Sequence, residues 1–121
     1  MAKIIIIDDE PHLVKILSKL LSDLDHHVTG VDKSARAKEL LMSEDYDIMI
    51  SDVRMKPING VELLKLARKQ HPKMPVIMIT AYHTEKLSAE TKNEGAFAYF
   101  PKPFQINDIF DAINQAVEAK N

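Results

Sequence analysis

The sequence of 121 residues lacks cysteine, has three glycines and shows no large excess of either charge. Without cysteine, structural disulfides and thiolate metal sites are excluded, and the redox compartment cannot be inferred from thiol usage. The 16 basic and 18 acidic residues give a formal net charge of −2, so we expect no direct nucleic-acid binding. No apolar stretch approaches the roughly 20 residues of a membrane span. The start, Met-Ala-Lys before a strand pattern, does not resemble a signal peptide, and we expect a cytoplasmic protein without membrane contact.

The apolar residues follow two alternating patterns along the chain. Short β-branched runs, which are typical of strands buried on both faces, occur at residues 3–8, 28–31, 47–51, 75–79 and 96–100. Between these runs, apolar residues three and four apart indicate amphipathic helices, and the first carries Leu13, Ile16, Leu17, Leu20 and Leu21. Weaker patterns predict a helix over residues 35–42 with Ser34 as its N-cap, and a helix over 85–93 that ends before Gly95.

Five strands that alternate with five helices predict a doubly wound α/β fold with a parallel sheet and right-handed crossovers. At this length we expect one domain, residues 1–121, that buries roughly two thirds of the surface of the unfolded chain. In such open sheets, ligands bind outside the carboxyl ends of the strands. The residues that follow each strand are therefore the candidates for function.

Four of the predicted strands end in a polar residue that suits a phosphoryl group. Asp8-Asp9 follow the first strand, Asp52 the third, Thr80 the fourth and Lys102 the fifth. If the strands are parallel, these groups converge on one edge of the sheet. Alone, Asp8 would be a helix N-cap and Asp9 a loop residue, Thr80 an ordinary strand-end hydroxyl and Lys102 a surface charge, but the coincidence of strand ends favours a shared site.

The three carboxylates would repel one another unless a cation lay between them. Carboxylate oxygens with open water positions suit Mg²⁺, which leaves room for phosphate oxygens. Asp52 is the candidate nucleophile, since a carboxylate can accept a phosphoryl group as an acyl phosphate. The divalent ion, Lys102 and Thr80 would neutralise the phosphoryl oxygens, which is most of what transfer through a loose transition state requires.

The order and spacing of Asp8-Asp9, Asp52, Thr80 and Lys102-Pro103 resemble the receiver domain of bacterial two-component response regulators. The resemblance covers essentially the whole chain, and residues 52–55, 75–82 and 95–104 are most similar to receivers of the nitrogen-regulation class. It implies a flavodoxin-like sheet with strand order 2-1-3-4-5 and five helices. It also implies a signalling switch that is not an enzyme beyond Mg²⁺-dependent self-phosphorylation and slow self-dephosphorylation.

The resemblance further implies a role for each site residue. Asp52 would accept the phosphoryl group of a sensor histidine kinase or phosphotransfer protein. Asp9, Asp52 and the backbone carbonyl of Arg54 would bind Mg²⁺, with Asp8 acting mostly through a water, and Mn²⁺ is expected to substitute. Lys102 and Thr80 would hold phosphoryl oxygens.

The same resemblance implies how the switch is transmitted. Tyr99 would swing inward when Thr80 shifts toward the phosphate, although Tyr99 would also suit a half-buried strand position. The Lys102–Pro103 bond would be cis. The face formed by the fourth helix, the fifth strand and the last helix would contact an output domain or target protein, and a phosphorylation-dependent homodimer is left open.

One loop departs from the family pattern of Met-Pro, two residues and Asp-Gly after the phosphoacceptor. Here Met55-Lys56-Pro57-Ile58-Asn59-Gly60 moves the proline one place later and puts Asn for Asp, while the spacing from Asp52 to Gly60 is kept. We therefore expect the same loop length, with a different turn and an added positive charge from Lys56.

Two other functions compete with a switch. An Mg²⁺-dependent phosphatase or hydrolase with an aspartyl-phosphate intermediate would need an acid two residues after the nucleophile, where this chain has Arg54. A flavin or nucleotide module would need a loop rich in glycine or hydroxyls after the first strand, where Asp8-Asp9-Glu10 would repel phosphates. The five histidines lack metal-ligand spacing, and His83 alone lies near the predicted phosphate.

Overall fold

The computed structural model describes residues 2–120, with the side chain of Lys120 left out. Over these residues it contains five strands and five helices in strict alternation. The strands are β1 (Lys3–Ile7), β2 (His27–Val31), β3 (Ile48–Asp52), β4 (Val76–Thr80) and β5 (Ala98–Pro101). The helices are α1 (Pro11–Ser22), α2 (Ser34–Ser43), α3 (Gly60–Gln70), α4 (Glu85–Asn93) and α5 (Ile106–Lys120).

The strands form one parallel sheet in the order β2-β1-β3-β4-β5. Each neighbouring pair runs in the same direction, with Ile7 opposite Ser51 and Asp52 opposite Ile79 in the register. The predicted doubly wound fold and strand order are confirmed. The strand order reverses between β1 and β3, so the carboxyl ends of these two strands flank the crevice where ligands bind in this fold.

Alternate residues of the central strands pack into two apolar layers, one on each face of the sheet. Ile5 and Ile7 face a layer that receives side chains of α2 and α3, with Leu87 of α4 partly buried against it. Ile4 and Ile6 face a layer that receives side chains of α1 and α5. Because β1 is fully buried from Ile4 to Ile7, its unbroken apolar run is what a strand covered on both faces requires.

Of three local predictions, one is confirmed and two need correction. The weakly amphipathic segment 85–93 is helix α4 with the predicted bounds, and Gly95 follows it with φ of +96°, a conformation that glycine adopts without strain. Ser34, predicted as the N-cap of α2, is instead its first residue, and Lys33 is the N-cap. The apolar stripe of α1 is also shifted: Ile16 is 57% exposed, and the buried residues are Val14, Leu17 and Leu21.

None of the helices in the described part of the chain is long and apolar enough to cross a membrane.

Candidate phosphoryl and metal site

Three carboxylates meet at the carboxyl ends of β1 and β3. Asp8, Asp9 and Asp52 each place an oxygen within 4.8 Å of the other two. Asp8 and Asp52 are buried, whereas Asp9 is exposed. The backbone fixes the two buried carboxylates, since Asp8 Oδ1 accepts from the N–H of Glu10 at 2.9 Å and Asp52 Oδ1 accepts from the N–H of Val53 at 2.9 Å.

Lys102 brings its ammonium to the same place from the loop after β5. Its Nζ lies 2.7 Å from Asp8 Oδ2, 3.2 Å from Glu10 Oε1 and 3.8 Å from Asp52 Oδ1. The side chain is 12% exposed, so these contacts are largely shielded from water. The Lys102–Pro103 bond is cis, as predicted.

Burial sets the protonation of this cluster. It raises the pKa of Asp52 to about 7, helped by the charge of Asp8, while Lys102 and the Val53 N–H act in the opposite direction. Burial also raises the pKa of Asp8, although the hydrogen bond from Lys102 opposes that shift. Burial alone would lower the pKa of Lys102, but its hydrogen bond to Asp8 and the charge of Asp52 raise it overall. At Asp52, burial and the charge of Asp8 thus outweigh the attraction of the Lys102 ammonium.

This donor set fits a hard divalent cation. Oxygen ligands that include an exposed carboxylate, beside two carboxylates that burial disfavours in their charged form, are the environment in which Mg²⁺ binds with several of its waters kept. Arg54, whose backbone carbonyl is the fourth predicted ligand, lies two residues after Asp52 with an exposed side chain. Its role as a ligand stays a prediction.

Thr80 lies fully buried at the end of β4, one strand away from Asp52. Its Oγ1 accepts from the backbone N–H of Tyr82 at 3.0 Å, and its carbonyl accepts from the N–H of Lys102 at 2.6 Å. Thr80 is therefore bonded both to the β4–α4 loop, residues 81–84, and to the segment that carries Lys102. The parallel sheet brings Asp8, Asp9, Asp52, Thr80 and Lys102 to one edge, as the strand ends predicted.

Tyr99 lies half-buried on β5, opposite Met78 of β4. Its hydroxyl is 3.0 Å from Nδ1 of His83, and the two rings are tilted by 54° with centroids 5.5 Å apart. Burial raises the pKa of Tyr99, while a hydrogen bond with the backbone of Thr84 lowers it. His83 was predicted to lie near the phosphate, but its described contact is with Tyr99.

The unusual loop after Asp52 is held by three hydrogen bonds. Gly60 donates to the Val53 carbonyl at 2.6 Å, and a Cβ at Gly60 would lie 2.0 Å from the Asp52 carbonyl oxygen, so glycine is required there. Asn59 caps α3 by accepting from the N–H of Glu62 at 2.9 Å.

The third bond corrects the prediction for Ser34, whose hydroxyl accepts from the Ile58 N–H at 3.1 Å. Ser34 thus holds this loop against α2, and the Lys56–Pro57 bond within the loop is cis.

Arg54 and Tyr82 meet at a cavity that Asp9 also lines. The Arg54 guanidinium lies 4.7 Å from the centroid of the Tyr82 ring, and both side chains are exposed. A guanidinium at this position cannot act as the leaving-group acid that a phosphatase with an aspartyl intermediate requires, since arginine stays protonated.

Two contacts at this edge escaped sequence reasoning. Glu10 accepts from Lys102 across 92 positions of the chain, and His83 meets Tyr99 across 16. The available signals were that Glu10 follows two candidate ligands directly and that His83 follows Thr80 within one loop. Neither signal identifies the partner.

Comparison with known proteins identifies the family to which this chain is similar. The sequence model of the response regulator receiver domain matches residues 4–114. The DNA-binding transcriptional regulator NtrC of Escherichia coli (strain K12) is 31% identical over 112 residues, which are 93% of this chain and 24% of that protein. This chain therefore spans about a quarter of the length of the curated relatives it matches.

Solved receiver domains share the fold. A response regulator receiver domain protein from Clostridium thermocellum has a TM-score of 0.92 at 30% identity, covering 99% of this chain and 97% of that one. The beryllofluoride-activated NtrC4 receiver domain, solved as a dimer, has a TM-score of 0.91 at 22% identity, with 98% of each chain covered. The family model matches nearly the whole chain, including the strand ends where the carboxylates meet. The chain therefore belongs to the response regulator receiver family, the phosphorylation-activated switches of two-component signalling.

Proposed function

We propose that Asp52 accepts a phosphoryl group from the phosphohistidine of a sensor histidine kinase or phosphotransfer protein, and that Mg²⁺ supports the transfer. The observation that carries this proposal is the position of the Asp52 carboxylate, buried at the end of β3 with two carboxylates and the Lys102 ammonium beside it. In the transfer, the N–P bond of phosphohistidine breaks and its electron pair stays on the imidazole. The new bond joins an Asp52 oxygen to phosphorus.

The chain's own groups would position and neutralise the transferred group. Lys102 Nζ is 3.8 Å from Asp52 Oδ1, so a short movement away from Asp8 brings the ammonium to a phosphoryl oxygen. Thr80 Oγ1 accepts from Tyr82, and its own hydrogen would donate to another phosphoryl oxygen. Such preorganised donors are the main source of catalysis in phosphoryl transfer.

Asp8, Asp9, Asp52 and the Arg54 carbonyl would hold the metal ion. Mg²⁺ supplies, when bound, the positive charge that lets these carboxylates and the phosphoryl oxygens approach one another. Mn²⁺ is expected to serve as well, because it also prefers oxygen ligands.

The domain would act as a switch and not as a turnover enzyme. We expect self-phosphorylation from activated donors and slow self-dephosphorylation, because Arg54 stands where a hydrolase would need an acid. None of the comparisons supports the phosphatase alternative. We propose that residues 1–121 form one receiver domain that acts in the cytoplasm.

Phosphorylation would be read on the face of α4, β5 and α5. Thr80 would move toward the phosphoryl group and Tyr99 would turn inward, which changes what this face presents to an output domain or target protein. The resemblance to NtrC favours control of transcription by a further domain. The dimer of activated NtrC4 favours a phosphorylation-dependent homodimer of this chain as well.

The proposal is tested by incubation with Mg²⁺ and acetyl phosphate, followed by intact mass measurement. We expect one added phosphoryl group that hydroxylamine removes. Asp52→Asn should abolish the addition, while Asp111→Asn, at an exposed position of α5, should keep it. An unchanged mass for the wild type would refute the proposal, and full labelling of Asp52→Asn would show that another residue is the acceptor.

A further inference from the structure

The side chain of His83 makes a specific contact that the phosphoryl chemistry does not use. Its Nδ1 lies 3.0 Å from the Tyr99 hydroxyl, and the tilted rings are in contact at a centroid distance of 5.5 Å. Tyr99 keeps its proton at neutral pH, because burial raises its pKa further. A neutral phenol can donate to Nδ1 or accept from an Nδ1–H, so the direction of this hydrogen bond follows the tautomer of His83.

The β4–α4 loop, residues 81–84, connects this contact to Thr80. The Tyr82 N–H donates to Thr80 Oγ1 at 3.0 Å, and Tyr82 immediately precedes His83. The next residue, Thr84, caps α4 by accepting from the Leu87 N–H at 3.0 Å. One short segment thus contacts the phosphate-sensing hydroxyl, the switch aromatic and the start of α4.

We propose that His83 is a positioning residue that holds the Tyr99 hydroxyl against the β4–α4 loop in the unphosphorylated protein and thereby opposes activation. This inference rests on the proposed function, because it concerns the inward turn of Tyr99 that follows phosphorylation. When Tyr99 turns inward, its hydroxyl leaves His83 Nδ1, so the hydrogen bond stabilises the inactive state alone. Any ligand that favours the active state must overcome this contact.

The magnitude follows from the kind of bond. A neutral hydrogen bond at a half-buried position changes a two-state equilibrium by about two- to tenfold. Removal of the bond should therefore raise the apparent affinity for an activating phosphoryl mimic by about that factor. His83 is exposed, so its truncation leaves the apolar layers intact.

The test measures the apparent affinity for beryllofluoride at saturating Mg²⁺, from the backbone amide shifts of the β4–α4 loop. His83→Ala and Tyr99→Phe should each bind the mimic about two- to tenfold more tightly. Tyr99→Phe also removes the hydrogen bond with the Thr84 backbone, so the double variant should bind no more tightly than Tyr99→Phe, which already lacks the bond to His83. His83→Asn should stay near wild type, since its side-chain oxygen lies close to the position of Nδ1.

The matched control is His27→Ala, an exposed histidine on β2 at the opposite end of the sheet, which should behave as wild type. Affinities of His83→Ala that equal those of His27→Ala would overturn the inference, and so would effects that multiply in the double variant. If the wild type binds beryllofluoride and the His83 and Tyr99 variants bind it equally well, the proposed role of His83 is refuted and the proposed function is not. If the wild type binds no beryllofluoride and accepts no phosphoryl group, both fall.

Discussion

Helices α3 and α4 follow adjacent strands and differ in how many of their side chains are buried. In α3, Gly60, Val61, Leu63, Leu64 and Ala67 are buried. Within α4, whose nine residues are all described, Thr91 is buried and Leu87 is partly buried. The strands differ in the same way, since β3 and β4 are buried throughout whereas β5 is half-exposed. The proposed phosphoacceptor thus lies on a fully buried strand, whereas α4 and β5, two elements of the proposed output face, are less buried.

This difference has a direct physical meaning. Segments with few buried apolar contacts open at a lower free energy than the rest of a domain, and elements that move in signalling are drawn from them. We therefore expect α3 to unfold with the whole domain and α4 to rearrange at a lower free energy.

The most direct test of this contrast is to truncate one leucine on each helix. Leu64→Ala, at a fully buried position of α3, should lower the free energy of unfolding by about 3 kcal/mol, because it leaves a cavity beneath the sheet. Leu87→Ala on α4 should cost about 1 kcal/mol, since that side chain is partly exposed in the folded state. Urea denaturation measures both values, and equal losses would contradict the contrast between the helices.

The second prediction concerns the charge on the packed side. Because burial raises the pKa of Asp52 from 3.8 to about 7, the folded state favours its protonated form. That contribution to stability is fully present below pH 3.8 and is lost as the pH rises through about 7. In EDTA at pH 8, Asp52→Asn should therefore be more stable than wild type by about 4 kcal/mol, and the difference should vanish near pH 4.

Denaturation of both proteins across this pH range checks the sign. Added Mg²⁺ should stabilise the wild type and leave Asp52→Asn less affected. If the wild type instead gains stability relative to Asp52→Asn between pH 4 and pH 8 in EDTA, burial does not destabilise the charged form of this carboxylate.

The third prediction compares the two helix caps. Asn59 caps α3 by accepting from Glu62, and Thr84 caps α4 by accepting from Leu87. Replacement of either cap by alanine removes about 1 kcal/mol of helix stability. For Asn59→Ala the loss should appear in global unfolding, whereas Thr84→Ala should mainly reduce the hydrogen-exchange protection of α4. Global losses of the same size for both variants would indicate that α4 is not a separate unit.

The smallest prediction concerns the contact that joins the two regions. Arg54 belongs to the loop after β3 and Tyr82 to the loop after β4, and the two side chains meet at a cavity that Asp9 also lines. An exposed cation–π contact contributes about 0.5–1 kcal/mol, so loss of both side chains should change the decay rate of the acyl phosphate by about two- to fivefold. The decay of phosphorylated Arg54→Ala/Tyr82→Ala protein, followed by intact mass, decides this, and an unchanged rate would rule out a covering role.

Sequence predicted the fold and the clustering of the site for the same reason. Apolar runs identify strands buried on both faces, parallel strands bring their carboxyl ends together, and Asp8, Asp52, Thr80 and Lys102 each follow such a run. The roles of these residues in phosphoryl transfer remain predictions, although their positions agree with them.

Prediction from the sequence failed where a side chain bonds to a residue that is distant along the chain. Ser34 has the residue type and position of an N-cap, but its hydroxyl accepts from Ile58, 24 residues away. Ile16 fits the helical stripe of α1, yet the buried face of α1 is shifted away from Ile16 and includes Val14. Contacts such as His83 with Tyr99 depend on how two loops and a strand meet, which local patterns do not encode.

The short contact between Lys102 and Asp8 has a consequence for the metal. In the folded chain, the ammonium at 2.7 Å already serves as the internal counter-ion of a proposed metal-binding carboxylate. A divalent ion held by the three carboxylates would supply positive charge beside Asp8 and would therefore compete with Lys102 for that carboxylate. The metal affinity would thus include the cost of weakening the ion pair between Lys102 and Asp8, and a weakened pair would let the ammonium move more easily to a phosphoryl oxygen.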